Sequence, residues 1–253
     1  MSEPGSVTLQ RTLYASRNPT RRYLHRSRRD WVLSQLRSLP AVAGRRILEI
    51  GPGSGVYLPA LTEAGETVVA LDREEAYLQA ARQLPDEHGV AVYFVQGDLR
   101  APPLAPGSVD VILCSEVIEH VPHSPDLLSA LAGLLSRDGV LILTTPQPWS
   151  PIELLGRIAF LPGIVHLLRW IYREPIEPTG HINLLSRARL EAQIDAAGLE
   201  VVGRDVMGLY LPVVGEFGGE RGARWLAGLD RWMRGSPFEA LLWTQCYRLR
   251  RRC

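Results

Sequence analysis

Apolar residues recur along the chain with two alternating periods. From Thr20 to Leu39, the residues Leu24, Trp31, Val32, Leu36 and Leu39 return at helical spacing, while Arg21, Arg22, Arg26, Arg28 and Arg29 fall mostly off that stripe. This predicts an amphipathic helix with a solvated basic face. Short apolar runs then alternate with helical segments. Strands are predicted at Arg46–Ile50, Thr67–Leu71, Val90–Val95, Val109–Cys114 and Val140–Thr145, with helices at Val56–Ala64, at Glu74–Leu84 and from Ser124 to Asp138-Gly139. Strands separated by helices pair in parallel through right-handed crossovers, which implies a doubly wound α/β sheet.

After Pro146 the rhythm breaks. The stretch PIELLGRIAFLPGIVHLLRWIY is interrupted by Glu153, Arg157, Pro162-Gly163 and Arg169, too often for a bilayer-spanning helix, which takes about 20 mostly apolar residues. It reads as a helical cap inserted over about 147–180. The pattern resumes with a helix from Ser186 to Gly198 and a strand at Leu199–Val206. A second insertion, about 208–240, places Trp225, Leu226, Leu229, Trp232 and Met233 on one helix face, with Arg221, Arg224, Asp230, Arg231 and Arg234 decorating the helix. Leu241–Leu249 reads as the closing strand.

Composition narrows the chemistry. All 28 basic residues are Arg and none is Lys, which excludes Schiff-base chemistry and the Lys of a phosphate-binding loop, because a guanidinium stays protonated. Ten Arg stand against Glu3 and Asp30 in residues 1–46, and four more lie in 248–253, so the body between holds 14 Arg against 25 acids. Basic ends of this kind can touch phosphate or an anionic surface, but a basic helix face is more often simply solvated. Cys114, Cys246 and Cys253 lack both disulfide parity and metal spacing. The leading MSEPGSVTLQ has no apolar signal-peptide core, so a cytoplasmic location is expected.

The strongest motif is Ile47-Leu-Glu-Ile-Gly-Pro-Gly-Ser-Gly55, in which a strand, a tight glycine turn and a helix follow in order. A dinucleotide fingerprint wants glycines at 51, 53 and 56, and position 56 is Val, so an NAD(P) dehydrogenase is disfavoured. Glycines at 51, 53 and 55 let a ligand approach the backbone, and Glu49 favours one that carries positive charge. One strand later, Asp72 is placed to accept from ribose hydroxyls. Asp98, beside Leu99, suits the edge and face of an adenine. An acid-lined nucleoside site without a phosphate cradle suits a cationic, phosphate-free nucleoside.

The set ILEIGPGSG, VVALD, GDL, VDVILCSEVIEHV and LLSRDGVLILTTP, over roughly residues 45–146, resembles the class I S-adenosylmethionine-dependent methyltransferases. The segment EVIEHV, the proline-flanked insertion and Gly180-His181 are similar to the ubiquinone- and menaquinone-type O-methyltransferases. The resemblance implies S-adenosylmethionine as cofactor, held by Glu49, Gly51, Gly53, Gly55, Asp72, Arg73, Asp98, Leu99, Ser115 and Glu116. It implies a Rossmann-like seven-stranded sheet with an antiparallel last strand pair and helical cap insertions. The domain would span 45–253, preceded by an arm and helix at 1–44.

The implied activity is methyl transfer to an oxygen of a hydrophobic small molecule, such as a quinol, phenol, polyketide-like or lipid-linked metabolite. A hydroxyl nucleophile benefits from proton removal, for which His120 and His181 are the candidate bases. Glu116, Glu119 and His120, at i, i+3 and i+4, would share the face of a helical turn. A similar group with a later His holds Mg²⁺ in metal-dependent superfamily members. His120 as a satisfied polar residue is the preferred reading, and no metal is assigned. The cap helices, apolar and Trp-rich with Arg, read as a lid over a hydrophobic acceptor, with peripheral membrane contact as the second possibility. An RNA methyltransferase using the Arg-rich arm and a non-catalytic S-adenosylmethionine-binding protein are the alternative functions.

Overall fold

The structure, a computed structural model, describes residues 14–40, 42–83, 91–98, 100–159 and 180–252. Leu99, His88, His166 and most of the first predicted cap lie outside these residues.

Seven strands form one sheet in the order β3-β2-β1-β4-β5-β7-β6. They are β1 (Arg46–Ile50), β2 (Thr67–Asp72), β3 (Val92–Gln96), β4 (Val109–Ser115), β5 (Leu135–Pro146), β6 (Leu199–Met207) and β7 (Thr244–Arg251). The first five pair in parallel, and β7 lies antiparallel between β5 and β6. Because strand side chains alternate between faces, β1 sends Ile47 to one face and Leu48 to the other. On the first face, Ile47, Val68, Val111 and Ile142 pack with Val32 and Leu36 of α1 (Pro19–Arg37) and Leu58 and Leu61 of α2 (Leu58–Ala64). On the other, Leu48, Ile112 and Leu141 meet Leu127, Leu128 and Leu131 of α4 (Ser124–Leu134), which follows α3 (Glu75–Arg82). After α5 (Pro151–Ala159), the same face receives Leu190 and Ile194 of α6 (Arg187–Ala196).

The leading helix is not an appendage. Asn18 caps it by accepting from the Thr20 and Arg21 amides, and Pro19 opens its first turn. Its buried stripe contains Leu24, Arg28, Val32 and Leu36. Arg28, expected on the solvated face, is therefore a correction: only 4% of it is exposed, and a carboxylate described below compensates its charge.

Three other expectations change. Helix α4 stops at Leu134, not at Asp138-Gly139, and β5 begins there with a register jump from Val109↔Leu135 to Val111↔Val140. Leu135 is fully buried in the strand and also continues the apolar stripe of the helix, so apolar patterning does not separate the two. Pro237–Leu241 forms a 3₁₀ turn, and the closing strand begins at Thr244.

The second insertion forms α7 (Pro212–Phe217) and α8 (Gly219–Met233). In α8, Leu226 and Met233 are buried as expected, but Trp225 and Trp232 face outward and Asp230 faces inward. A buried carboxylate must be satisfied. Asp230 accepts from the Gly208 and Leu209 amides, from the Tyr23 hydroxyl at 2.9 Å and from Arg234 Nε at 2.8 Å. It thereby fastens α8 to α1 and to the loop after β6. Among the described residues, no helix is long and apolar enough to cross a membrane.

Candidate functional site

The carboxyl ends of β1, β2 and β3 lie side by side, with Ile50 opposite Leu71 and Asp72 opposite Gln96. Open parallel sheets bind ligands at this edge. Gly51, Gly53 and Gly55 follow β1 with φ of 63°, 53° and 73°, the left-handed region that glycine enters without steric cost. At Gly51 a β-carbon would also stand 2.7 Å from Val117 Cγ2, so the glycine turn is seated directly on the segment after β4.

Glu49, next to the end of β1, is only 2% exposed. Its Oε2 has no hydrogen-bond partner among the described residues, and burial pushes the carboxyl up to about 8. Asp72 sits at the end of β2, where burial raises its carboxyl while the Glu74 amide, donating at 2.9 Å, opposes the shift. Arg73 beside it is exposed. Asp98 is exposed and paired with Arg100 at 2.8 Å, which brings its carboxyl down to about 2.

Beyond β4 the chain does two unusual things. Glu116 is the one described non-glycine residue with positive φ, at 58°, a conformation that is rare and costly for such residues. The Thr144 carbonyl fixes it by accepting the Glu116 amide at 2.9 Å. Its carboxylate is thereby aimed at Arg28, whose Nη1 lies 2.6 Å from Oε2. Burial opposes the Arg28 charge, but Glu116, with Tyr14 and Tyr57, outweighs it and holds the guanidinium firmly protonated. Trp243 lies 5.6 Å from this guanidinium, and Arg28 Nε has no hydrogen-bond partner among the described residues. Ser115 hydrogen-bonds Thr144 through their hydroxyls at 2.8 Å and reaches the Tyr57 hydroxyl at 3.5 Å.

The 3₁₀ turn Ile118–His120 then brings both candidate bases together. The Glu119 carbonyl accepts the Ile182 and Asn183 amides, each at 3.0 Å, which fastens the segment carrying His181 onto this turn. The imidazoles of His120 and His181 are 5.2 Å apart. His120 Nδ1 is 3.1 Å from the Gly180 carbonyl, and His181 Nδ1 is 3.1 Å from Glu153 Oε2. Both partners are acceptors, so in the neutral rings each Nδ1 donates and each Nε2 carries the lone pair. Burial lowers the pKa of His120, which also favours its neutral form. Glu153, 7% exposed, accepts from Trp243 Nε1 at 2.9 Å with its other oxygen.

Glu119 is fully buried. Thr145 donates to its Oε2 at 2.9 Å, while Oε1 has no hydrogen-bond partner among the described residues. Burial and the nearby Glu116 raise its carboxyl. One ligand atom from each of Glu119, His120 and His181 lies within 4.8 Å of the others, a spacing that could hold one divalent ion. Glu116, which the sequence placed on the same turn, is engaged by Arg28 instead.

Sequence reasoning missed Arg28 and Glu153. Position 28 does lie one helical turn from both Leu24 and Val32, so a stripe defined by position rather than by residue type includes it. Nothing in the local pattern distinguishes Glu153 from a helix-surface acid, because its partners lie 28 and 90 residues away.

The model of a methyltransferase domain family matches residues 21–203, leading helix included. A ubiquinone biosynthesis O-methyltransferase of Methylococcus capsulatus is 31% identical over 182 residues, covering 70% of this chain and 72% of its own. The enzyme of the same description from Pseudomonas aeruginosa is 33% identical over 179 residues, covering 68% and 71%. Among solved structures, an S-adenosylmethionine-dependent methyltransferase from Aquifex aeolicus superposes with a TM-score of 0.57 at 15% identity over 98% of both chains, confirming the fold. The glycine turn beside an unpartnered buried carboxyl and an acid on the next strand fits a cationic nucleoside, and with these relatives it places the chain among the class I S-adenosylmethionine-dependent methyltransferases.

Proposed function

We propose that the protein methylates an oxygen of a hydrophobic small molecule of the phenol or quinol kind. The observation that carries this reading is the pair of imidazoles, His120 on the turn after the glycine-loop contact and His181 on the segment fastened to that turn, each with Nδ1 committed and Nε2 without a hydrogen-bond partner among the described residues. The relatives named as ubiquinone biosynthesis O-methyltransferases support it. S-adenosylmethionine supplies an electrophilic methyl group on a good leaving group, so the protein's task is to orient, to exclude water and to take a proton.

The backbone at Gly51, Gly53 and Gly55 admits the methionyl part, Glu49 faces its ammonium, and Arg28, through its unpartnered Nε, faces its carboxylate. Asp72 accepts from the ribose, Arg73 borders it, and Asp98 with Leu99 takes the adenine. Ser115 and Glu116 form the floor. His181 takes the acceptor's hydroxyl proton at Nε2, with Glu153 holding its ring and stabilising the imidazolium that forms, and His120 shares that space.

The unpartnered Glu119 Oε1 favours a second reading of the same residues, in which Glu119, His120 and His181 hold a divalent ion that would acidify the acceptor hydroxyl. Calorimetric titration with Mn²⁺ decides between them. A one-to-one complex lost in His181→Ala supports the metal, and no heat leaves the imidazoles as bases.

Glu49 yields a pH prediction. Its carboxyl, raised to about 8 in the free protein, is largely protonated at neutral pH, and a neighbouring ammonium favours the ionised form. Cofactor binding near pH 7 should therefore release up to about one proton, and affinity should rise with pH until about 8. Calorimetry in buffers of different ionisation enthalpy measures this, and Glu49→Gln should abolish the release.

The acceptor side is tested by offering phenols and catechols with lengthening alkyl tails together with labelled S-adenosylmethionine. KM should fall roughly fourfold per buried methylene. Preference for small carboxylic acids would overturn the reading.

A further inference from the structure

The outward face of α8 has no role in the site just described. Arg221, Arg224, Trp225, Arg231 and Trp232 are all exposed on it, and Trp225 and Trp232, seven residues apart, project from the same side. Trp225 is 56% and Trp232 65% exposed. Phe238 stacks on Trp232 with ring centres 6.0 Å apart, extending the aromatic surface onto the 3₁₀ turn after the helix.

No acid opposes these arginines on the helix. Glu220 pairs with Arg22 and Asp230 is buried beneath, and none of Arg221, Arg224 and Arg231 forms an ion pair among the described residues. Aromatic rings interleaved with unpaired cations suit neither the core of a soluble domain nor an ordinary solvated helix. Trp is at home where one end of the ring is apolar and the other wet, and Arg is drawn to lipid phosphate.

The placement connects this face to the site. Met207, at the end of β6, pairs with Thr244, at the start of β7, and Thr244 pairs with Pro146, at the end of β5. The insertion carrying α8 therefore leaves and re-enters the sheet at its carboxyl edge, where the glycine loop and the imidazoles lie. Asp230 fastens the helix there, so the surface is preformed and binding has little ordering to do.

We propose that this face docks the protein peripherally on an anionic lipid bilayer, with Trp225, Trp232 and Phe238 at the level of the headgroups and Arg221, Arg224 and Arg231 on lipid phosphates. A hydrophobic acceptor would then reach the carboxyl edge from the bilayer without crossing water. Vesicle binding is read without turnover, so the proposal stands or falls separately from the choice of acceptor.

The experiment is co-sedimentation of the full chain with vesicles of mixed phosphatidylglycerol and phosphatidylcholine, against vesicles of phosphatidylcholine alone. Two variants are compared, Trp225→Ser with Trp232→Ser, and Arg221→Gln with Arg224→Gln and Arg231→Gln. Binding is expected only to the anionic vesicles. At about fivefold per arginine, the triple variant should lose on the order of a hundredfold in affinity, and the tryptophan variant should also fail to sediment. Both sets alter exposed side chains, so the thermal midpoint should hold, and either variant alone decides the matter if the other does not fold. Absence of binding, or undiminished binding by both variants, overturns the proposal. So does a face that instead retains RNA or forms a dimer dispersed by the tryptophan variant.

Discussion

Replacing Arg28 by Met should destabilise the protein by about 2–3 kcal/mol, because it leaves the largely buried Glu116 carboxylate without its counter-ion. Removing the second charge as well, in Arg28→Met with Glu116→Gln, should recover much of that loss, since the penalty lies in the uncompensated carboxylate rather than in the missing pair. Urea unfolding of the single and double variants measures both. The double variant should nonetheless bind cofactor about 10- to 100-fold more weakly than the parent, as expected when a hydrogen bond to a charged group is lost. Stability and cofactor affinity are thus separable at this position. A double variant restored in both would mean that Arg28 serves only to neutralise Glu116.

His181→Ala should lower kcat by about 10²- to 10⁴-fold, the range of a general base, while leaving cofactor affinity unchanged. Glu153→Gln should approach that loss although it removes no proton acceptor from the reaction. A carboxamide can donate to Nδ1 as readily as accept from it, so His181 is free to take the tautomer that has no lone pair on Nε2. The diagnostic readout is kcat per folded molecule, which should fall in Glu153→Gln while KM and the thermal midpoint hold. Loss of kcat only in proportion to loss of folded protein would assign Glu153 to packing with Trp243 alone.

The features legible in the sequence are the local ones. Strand, glycine turn and helix around Ile47–Gly55 follow from short-range pattern, as does the row of acids at successive strand ends, because residue type and element end there coincide. The alternation likewise anticipates a doubly wound sheet and the resemblance adds its antiparallel last strand pair, while the order of the seven strands comes from the structure. What the pattern hid was long-range and charged. An apolar stripe cannot register Arg28, whose burial is licensed chiefly by Glu116, 88 residues later in the chain. Nor can it register Asp230, satisfied by the loop after β6 and by Tyr23 on α1. The opposite error arose at Trp225 and Trp232, which are apolar enough to be read as core yet lie outside it. The sequence associated most of the arginines with the periphery, and α8 agrees; Arg28 is the exception that reaches inward to Glu116 after β4.

Incubation with S-adenosylmethionine carrying a deuterated methyl group, in the presence of total lipid extract, followed by mass spectrometry and NMR of the products, tests the proposed reaction most directly. The expected product is a deuterated methyl ether on a phenolic or quinol oxygen in the organic phase, formed by the parent protein and not by His181→Ala. Label found in RNA, in a carboxylic ester or on carbon, or an ether formed equally well without His181, would contradict it.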